Sequence, residues 1–465
     1  MILELGHCEV FHRGWVTSLK SYGKDELVLK ILYELTYATR GQSGVPRDAG
    51  SVAKILVNKG EFETDLVLNP RTYTKKSIFR QPREVWESVV LGDALRREPG
   101  RSVIPPLLKS GLIFLQSLSL KRKVRIYFLS EKMNSNTLSH LKLAKLGGTI
   151  ERTRIALISI SYLARFSRPE FLKPFILDTS GYDVFIQQQA DPISVRKNTI
   201  HVVRLHDFLP VTHPQLFDQN AVKVFTKSLR IMLKGKKKIW IMDSESTANE
   251  FKAYFGTNQD VRVIPCAISA RKFRSAQVDI LRKKQICMIN TIEPRKRVSL
   301  AIAGFREAKK LGKLPDDWNL VIMGGEGWQE GQLANDLRKG LFGKDIIFKE
   351  LVSDFQAQQV FSESKIVFST SIAEGFGLPP LEGMMNGCVP VVSDIPQHRE
   401  TVRENGFYFL GENPEEIAQA LGEAAELVES GNSEIANNLK NYVEENYSEQ
   451  VIGNMWGNLV NSLTK

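Results

Sequence analysis

The sequence predicts an α/β protein made of two doubly wound domains. Three observations carry this. Short apolar runs rich in Val, Ile and Phe alternate with helical patterns along the chain, as in parallel sheets covered on both faces. The runs are too many for a single sheet. A length of 465 residues with 42% hydrophobic content supports two separate cores.

Taken in order, Val28 to Leu35 (VLKILYEL) reads as a strand, DAGSVAKILVNKG as a helix ending at Gly60, and FETDLVLN as the next strand. VRIYFLS, YDVFIQQ, IHVVRLHD, KKIWIMDS and VRVIPCAI follow as strands. A second series, QICMINTI, WNLVIMGG, DIIFKEL, KIVFSTS and VPVVSD, begins after a boundary expected between Pro265 and Ser275. Helical segments such as RVSLAIAGFREAKKLG and PEEIAQALGEAAELVESG lie between them. The expected domains are 1–270 and 271–444, with a closing helix at about 445–465. In that helix Val451, Ile452, Met455, Trp456, Leu459 and Leu463 recur at helical spacing, so one face is buried.

Charge narrows the partners. The net charge is +11, which suits nucleic acid, an anionic membrane surface or phosphorylated small molecules, and composition does not choose among them. Arg71, Lys75, Lys76, Arg80 and Arg83 form one basic cluster and Lys121, Arg122, Lys123 and Arg125 another; each is either a solvated face or an anion-binding one. The KGKKK run from Lys234 reads as a solvated turn, with anionic-lipid contact as the minor alternative. The four cysteines, Cys8, Cys266, Cys287 and Cys388, have no metal or redox spacing and read as reduced thiols. The start, MILELGHCEVFHRG, lacks the basic opening of a signal peptide. No apolar run reaches the ~18 residues of a spanning helix. The expected location is cytoplasmic, with at most peripheral contact at the inner face of the cell membrane.

The stretch SIAEGFGLPPLEGMMNGCVPVV carries the chemistry. KIVFST is a strand, SIAEGFG the loop at its carboxyl end, and LPPLEGMMN a helix with Pro379 or Pro380 in its first turn and Gly387 after its end. Ligands of open parallel sheets bind beyond the carboxyl ends of strands, so Glu374 falls in the ligand crevice. Gly375 and Gly377 let backbone N–H groups of the loop Gly375, Phe376, Gly377 and Leu378 approach a ligand. The helix start favours an anion. Glu382 can accept hydrogen bonds from two neighbouring hydroxyls, as a ribose offers. Lys296, on a loop entering a helix, supplies a point charge at a helix N-terminus; Arg295 beside it is the alternative.

EGFGLPPLE, with seven residues between Glu374 and Glu382, resembles the E-x7-E motif of retaining GT-B glycosyltransferases, the large nucleotide-sugar-dependent family that includes bacterial mannosyltransferases. NTIEPRKRVSLAIAGF resembles the family's phosphate-binding strand, loop and helix, with Lys296 at the phosphate-contacting lysine. VIMGGEGW resembles the turn before the base, and KELVSDFQ, with Val352, the base-reading segment. RLHDFLPVTHPQLF puts His206 at the active-site histidine, MDSEST resembles the S-E-x-S/T near the hinge, and GQSGVP, with Gly44, resembles the glycine loop under the donor phosphates. The resemblance runs from about Ile200 to Gly406 and fades between Tyr37 and Thr199. Many relatives carry an arginine six residues before the lysine; here the residue is Asn290, which leaves the second cation to Arg295, to the other domain or to none.

The resemblance implies two Rossmann-like domains facing across a cleft, with the closing helix returning to the first. It implies a retaining hexosyltransferase with Glu374 and His206 as catalytic residues. Lys296, Arg295, Glu382, Gly375, Phe376, Gly377, Leu378, Gly44 and Val352 would hold a nucleotide-sugar donor. The best-fitting donor is GDP-mannose, with UDP-sugars as the alternative. The acceptor is a glycan or a lipid-linked glycan, and the setting is bacterial surface polysaccharide or lipopolysaccharide synthesis. No cofactor or metal is expected, since the Asp-x-Asp triplet of metal-dependent transferases is missing from the sequence. A nicotinamide oxidoreductase needs a glycine fingerprint that GGEGWQEG does not meet. A basic nucleic-acid-binding protein would carry a recognition module not found here, and a silent scaffold would not keep the full set of site residues. His201 and His213 lack metal spacing, and Trp240 and Trp328 read as packing residues.

Overall fold

The computed structural model describes residues 28–36, 38, 44–68, 118, 123–124, 126–128, 146–158, 172–269, 282–350, 353–431 and 434–463. Outside them lie Cys8 and the start of the chain, Gly41 to Ser43, the basic residues Arg71, Lys75, Lys76, Arg80, Arg83, Lys121, Arg122 and Arg125, the expected boundary from Ala270, and Val352.

Two large sheets form. The first has eight strands, in spatial order Asp260–Val263 (β11), Ile239–Met242 (β10), Ile200–Leu205 (β9), Val184–Gln187 (β7), Lys30–Glu34 (β1), Glu63–Leu68 (β2), Ile155–Ile158 (β5) and Ile126–Phe128 (β4). All pairs are parallel except β4 with β5. A small parallel sheet of Lys123–Val124 (β3), Phe175–Leu177 (β6) and Ile193–Ser194 (β8) accompanies it. The second large sheet is wholly parallel: Ile346–Glu350 (β14), Asn319–Gly324 (β13), Gln285–Ile289 (β12), Ile366–Ser369 (β15), Val389–Ser393 (β16) and Phe407–Phe409 (β17). Its order reverses between β12 and β15, so the loops after those strands open a crevice there.

Among the described residues, the helices of seven or more residues are Gly44–Asn58 (α1), Gln219–Lys234 (α2), Glu245–Phe255 (α3), Val298–Lys310 (α4), Gly331–Arg338 (α5), Asp354–Glu363 (α6), Leu378–Met385 (α7), Pro396–Val402 (α8), Pro414–Glu429 (α9), Glu434–Tyr447 (α10) and Glu449–Ser462 (α11). Two of the boundaries that differ from the sequence reading have a clear physical cause. α1 begins at Gly44 because Pro46 is tolerated in a first turn, whose N–H groups have no helical partner. β11 ends at Val263, ahead of Pro265, which has no N–H for the ladder.

The KGKKK run is not a solvated turn throughout. Lys238 is buried, and its Nζ donates to the carbonyls of Met232 and Lys236 at 2.7 Å. Lys236 Nζ donates to the carbonyls of Lys197 and Thr199. These ammonium groups close the end of α2 and tie it to the turn before β9; burial pushes Lys238 down to about 8.

α11 crosses back onto the first sheet. Ile452, Trp456, Leu459 and Val460 are buried in one core with Val52, Ala53, Leu56 and the strand residues Tyr33, Leu66 and Ile241. Met455 and Leu463 pack at its margin, and Val451 is half-buried. Trp456 is completely buried and lies 5.5 Å from the Arg204 guanidinium. Trp456→Ala therefore removes both apolar contact and the cover over a buried charge. Urea unfolding should show a loss of about 3–5 kcal/mol, with Trp456→Phe losing clearly less. A wild-type midpoint for the alanine variant would show that the helix is not a structural part of the first core.

Candidate functional site

The cleft between the two sheets is a cavity of about 630 Å³. The loops after β12 and β15 line one wall; the end of β9, the loop after β10 and the start of α1 line the other. Gly44, His206, Asn290, Arg295, Lys296, Glu374, Gly375, Phe376, Gly377, Leu378 and Glu382 all reach it. Val352 lies outside the described residues.

Glu374 follows β15 and is 7% exposed. Its carboxylate meets Arg295 Nη1 at 2.9 Å and Lys296 Nζ on the other oxygen. Arg295 also meets Glu293 Oε1 at 2.6 Å. Both cations come from the 3₁₀ turn Pro294–Lys296, which the return of the chain from β12 sets against the β15 loop. The Ile372 N–H donates to the Arg295 carbonyl at 2.9 Å, and Thr370 Oγ1 donates to that of Lys296 at 2.7 Å. Burial would raise the Glu374 carboxyl, but the adjacent Lys296 and Arg295 hold it well below the usual carboxylate range. The two cations thus converge on one carboxylate, although Arg295 was expected only as the alternative to Lys296, and both are already engaged by it.

Glycines shape the loop in two different ways. Gly377 has φ +92° and opens α7, a conformation that L side chains rarely adopt. Gly375 is needed for another reason than the expected approach to a ligand. A Cβ there would stand 2.3 Å from the His206 carbonyl oxygen, so the two walls touch at this point. The Gly375 carbonyl accepts from Ser244 Oγ at 2.8 Å and Thr247 Oγ1 at 2.9 Å. Glu400 completes the join: its carboxylate accepts from the N–H groups of Glu245 and Ser246 at 2.7 and 2.9 Å, at the start of α3. This explains the MDSEST segment, whose hydroxyls and helix start clasp the opposite domain. The main chain of His206 thus touches the opposite wall. Phe376 packs its ring edge-on to Tyr447, 5.7 Å between centroids, so the side chain anchors the loop within the second core.

Glu382, in the second turn of α7, meets Arg47 Nη2 at 2.5 Å. Arg47 belongs to α1, so this ion pair spans the cleft. Asn290 is 6% exposed, and neither polar atom of its side chain has a hydrogen-bond partner among the described residues. A buried amide of that kind is available to a ligand.

His206 is 4% exposed, with Nδ1 at 2.8 Å from Asp243 Oδ2 and Nε2 at 3.3 Å from Gln188 Oε1. Burial opposes its charged form, but Asp243 and then Asp48 outweigh that and raise its pKa above the ordinary histidine value. Beneath it, Arg204 is fully buried and meets Asp48 Oδ2 at 2.7 Å and Asp243 Oδ1 at 3.0 Å. Asp48, His206 and Cys266 bring ligand atoms within 4.8 Å of one another. The Arg204 guanidinium already supplies the positive charge between these carboxylates. His201 is structural: it pairs with Gln187 at 2.7 Å, and burial holds it well below the usual range. Trp240 is buried, and Trp328 donates to the Leu216 carbonyl at 2.9 Å.

Sequence reasoning missed Arg47, Asp48, Arg204, Asp243 and Glu400. Arg204 left a signal: a charged residue amid the apolar run IHVVRLHD. Asp243 left another, an acid closing the apolar strand IWIM. The rest had none.

Residues 270–446 match the family model described as glycosyl transferases group 1. The serotype-specific mannosyltransferase WbdA of Escherichia coli is 27% identical over 245 residues, covering 48% of this chain and 30% of WbdA. The chain thus spans about a third of the length of the first curated relatives it matches. The O-antigen chain mannosyltransferase RfbU of Salmonella typhimurium is 26% identical over 271 residues, 56% of this chain and 69% of RfbU. The crystal structure of Anabaena HepE in complex with UDP and glucose superposes with a TM-score of 0.56 at 14% identity, covering 93% of this chain and 100% of HepE. That likeness, with two parallel sheets facing a cleft, shows the GT-B fold. Residues 270–446 are thus the part of the chain that is similar to the glycosyl transferases group 1 family.

Proposed function

We propose that the protein is a retaining glycosyltransferase that moves a hexose, mannose from GDP-mannose, onto a glycan or lipid-linked glycan in bacterial surface polysaccharide synthesis. The observation that carries this reading is Glu374, ionised between Lys296 and Arg295 in a cleft whose opposite wall carries His206. The curated relatives at E. coli and Salmonella are mannosyltransferases, which favours mannose. HepE was solved with UDP, so a UDP-sugar is the second reading.

The residues divide the work. A donor diphosphate needs fixed positive charge, which Lys296, Arg295 and the start of α7 supply without reorganisation as the leaving group gains charge. The Asn290 amide offers that ligand further hydrogen bonds. Glu382 accepts the ribose hydroxyls in place of Arg47, and Glu374 accepts sugar hydroxyls and offsets positive charge at the reacting carbon. Departure and attack share one face, without a conventional double displacement. No metal takes part. Lys223, Arg230 and Lys234 are exposed along one face of α2, which suits peripheral contact with anionic headgroups.

A thermal-shift series with GDP- and UDP-sugars tests the donor. GDP-mannose at about a hundredfold its Kd should stabilise by about 2.7 kcal/mol; no shift with any nucleotide sugar rejects the enzyme reading, and a UDP-sugar shift alone selects the second. Glu374→Ala and His206→Ala should each lower kcat by about 100-fold or more. The alanine at 374 frees two cations, so GDP should bind that variant at least as tightly as wild type in calorimetry. Either variant with wild-type kcat removes its residue from the site. Transfer should also survive excess EDTA, since protein cations serve the diphosphate; loss reversed by Mn²⁺ rejects the metal-free mechanism.

A further inference from the structure

The most charged buried cluster in the described residues lies under His206. Asp48, Arg204, His206, Asp243 and Cys266 are each at most 4% exposed. They come from α1, β9, the end of β10 and the segment after β11, and they meet at one point. Arg204 binds Asp48 through Nε and Nη2 at 2.7 and 3.0 Å, Asp243 through Nη2 at 3.0 Å, and the Ile264 carbonyl through Nη1 at 2.9 Å. The Cys266 thiol donates to Asp243 Oδ2 at 3.2 Å.

Two carboxylates face a single guanidinium. An uncompensated charge in such a place costs several kcal/mol, so a second positive charge is required. The candidate is the imidazole. Its Nδ1 faces a carboxylate oxygen of Asp243 at 2.8 Å, and its Nε2 faces the Gln188 amide oxygen at 3.3 Å and Asp48 Oδ2 at 3.9 Å. Acceptors stand at both nitrogens, and only the imidazolium donates from both. The remaining charged neighbours do not cancel this: Arg204 opposes the proton and Asp207 lies beside His206 in the chain. Across the cleft Lys296, Arg295, Glu374 and Glu293 pair among themselves.

We propose that Asp243 and Asp48, bridged by Arg204, are positioning residues that hold His206 as an imidazolium, so that it meets the donor as a hydrogen-bond donor and positive charge rather than as a base. Its role toward a donor rests on the glycosyltransferase reading; its protonation does not. Burial of Arg204 under Trp456 makes the C-terminal helix the lid of this network.

The test is ¹⁵N NMR of the protein with labelled histidine, without donor, the His206 signal being assigned by its loss in His206→Ala. The wild-type ring should carry protons on both nitrogens at pH 7.5. In Asp243→Asn it should be singly protonated there, its titration moved acidward by about one pH unit or more. Asp48→Asn, which leaves the Nδ1 contact, should move it by less, and serves as the second variant if Asp243→Asn does not fold. A neutral wild-type ring overturns the proposal, as does an unchanged titration in a folded Asp243→Asn or Asp48→Asn protein. Because no substrate is present, these outcomes are separate from failure of the transferase reading, which the donor series decides.

Discussion

Arg204 is the point on which the fold and the site both turn. Its guanidinium is fully buried, and such a charge persists only when opposite charges and hydrogen bonds replace the lost water. Those partners come from everywhere that matters: Asp48 from α1, Asp243 from the end of β10, the Ile264 carbonyl from the chain about to leave the first domain, and Trp456 from the helix that returns to it. Each partner is therefore fixed relative to the others. The same carboxylate that anchors Arg204 also orients His206, so the stability of the first domain and the geometry of the cleft share one set of contacts.

The opposite wall follows a different logic. There the charges balance within two short loops, Glu293 to Lys296 and Ala373 to Gly375, that the strand order brings together at the reversal between β12 and β15. Glu374 occupies both cations. On the proposed reading, an entering diphosphate would compete with that carboxylate for Lys296 and Arg295, and an entering ribose with Arg47 for Glu382. The cleft is preorganised in position but satisfied in charge, which avoids leaving like charges unpaired in a buried site.

The sequence made the second wall legible because its residues are contiguous or nearly so: EPRK on one loop and EGFGLPPLE on the next, each at the carboxyl end of an apolar strand. The first wall was legible only at His206 and Gly44. Arg204 and Asp48 are 156 residues apart, and no local pattern relates a charged residue inside a strand to an acid on a helix near the chain start. The clasp of Glu400 on α3 was invisible for the same reason. Gly375 was read as room for a ligand because glycines in loops commonly serve that end; the competing cause, close approach of another backbone, depends on the partner domain. The KGKKK run misled because composition marks charge as solvated, whereas an ammonium can equally close the carbonyls at a helix end.

Among the described residues, the hydrogen bonds and ion pairs that join the walls include Ser244 and Thr247 on the Gly375 carbonyl, Glu400 on α3, Trp328 on the Leu216 carbonyl, and Arg47 with Glu382. Each contributes about 0.5–1.5 kcal/mol net, more where a charge takes part. Their sum is a few kcal/mol, small beside the cores on either side. Interfaces of this kind open readily, and domain motion is the default expectation for them. The apolar weight lies instead in the return helix, where Ile452, Trp456, Leu459 and Val460 bury into the first core. The chain thus crosses between domains twice, and after its second crossing it is fixed to the first core by that helix. The two crossings are held side by side by the Ile268 N–H to Tyr447 carbonyl bond of 2.8 Å. Asp48, Arg204, Asp243 and the Ile264 carbonyl all precede the first crossing, so their contacts lie within the first domain, whereas the approach of Gly375 to His206 depends on how the two domains meet.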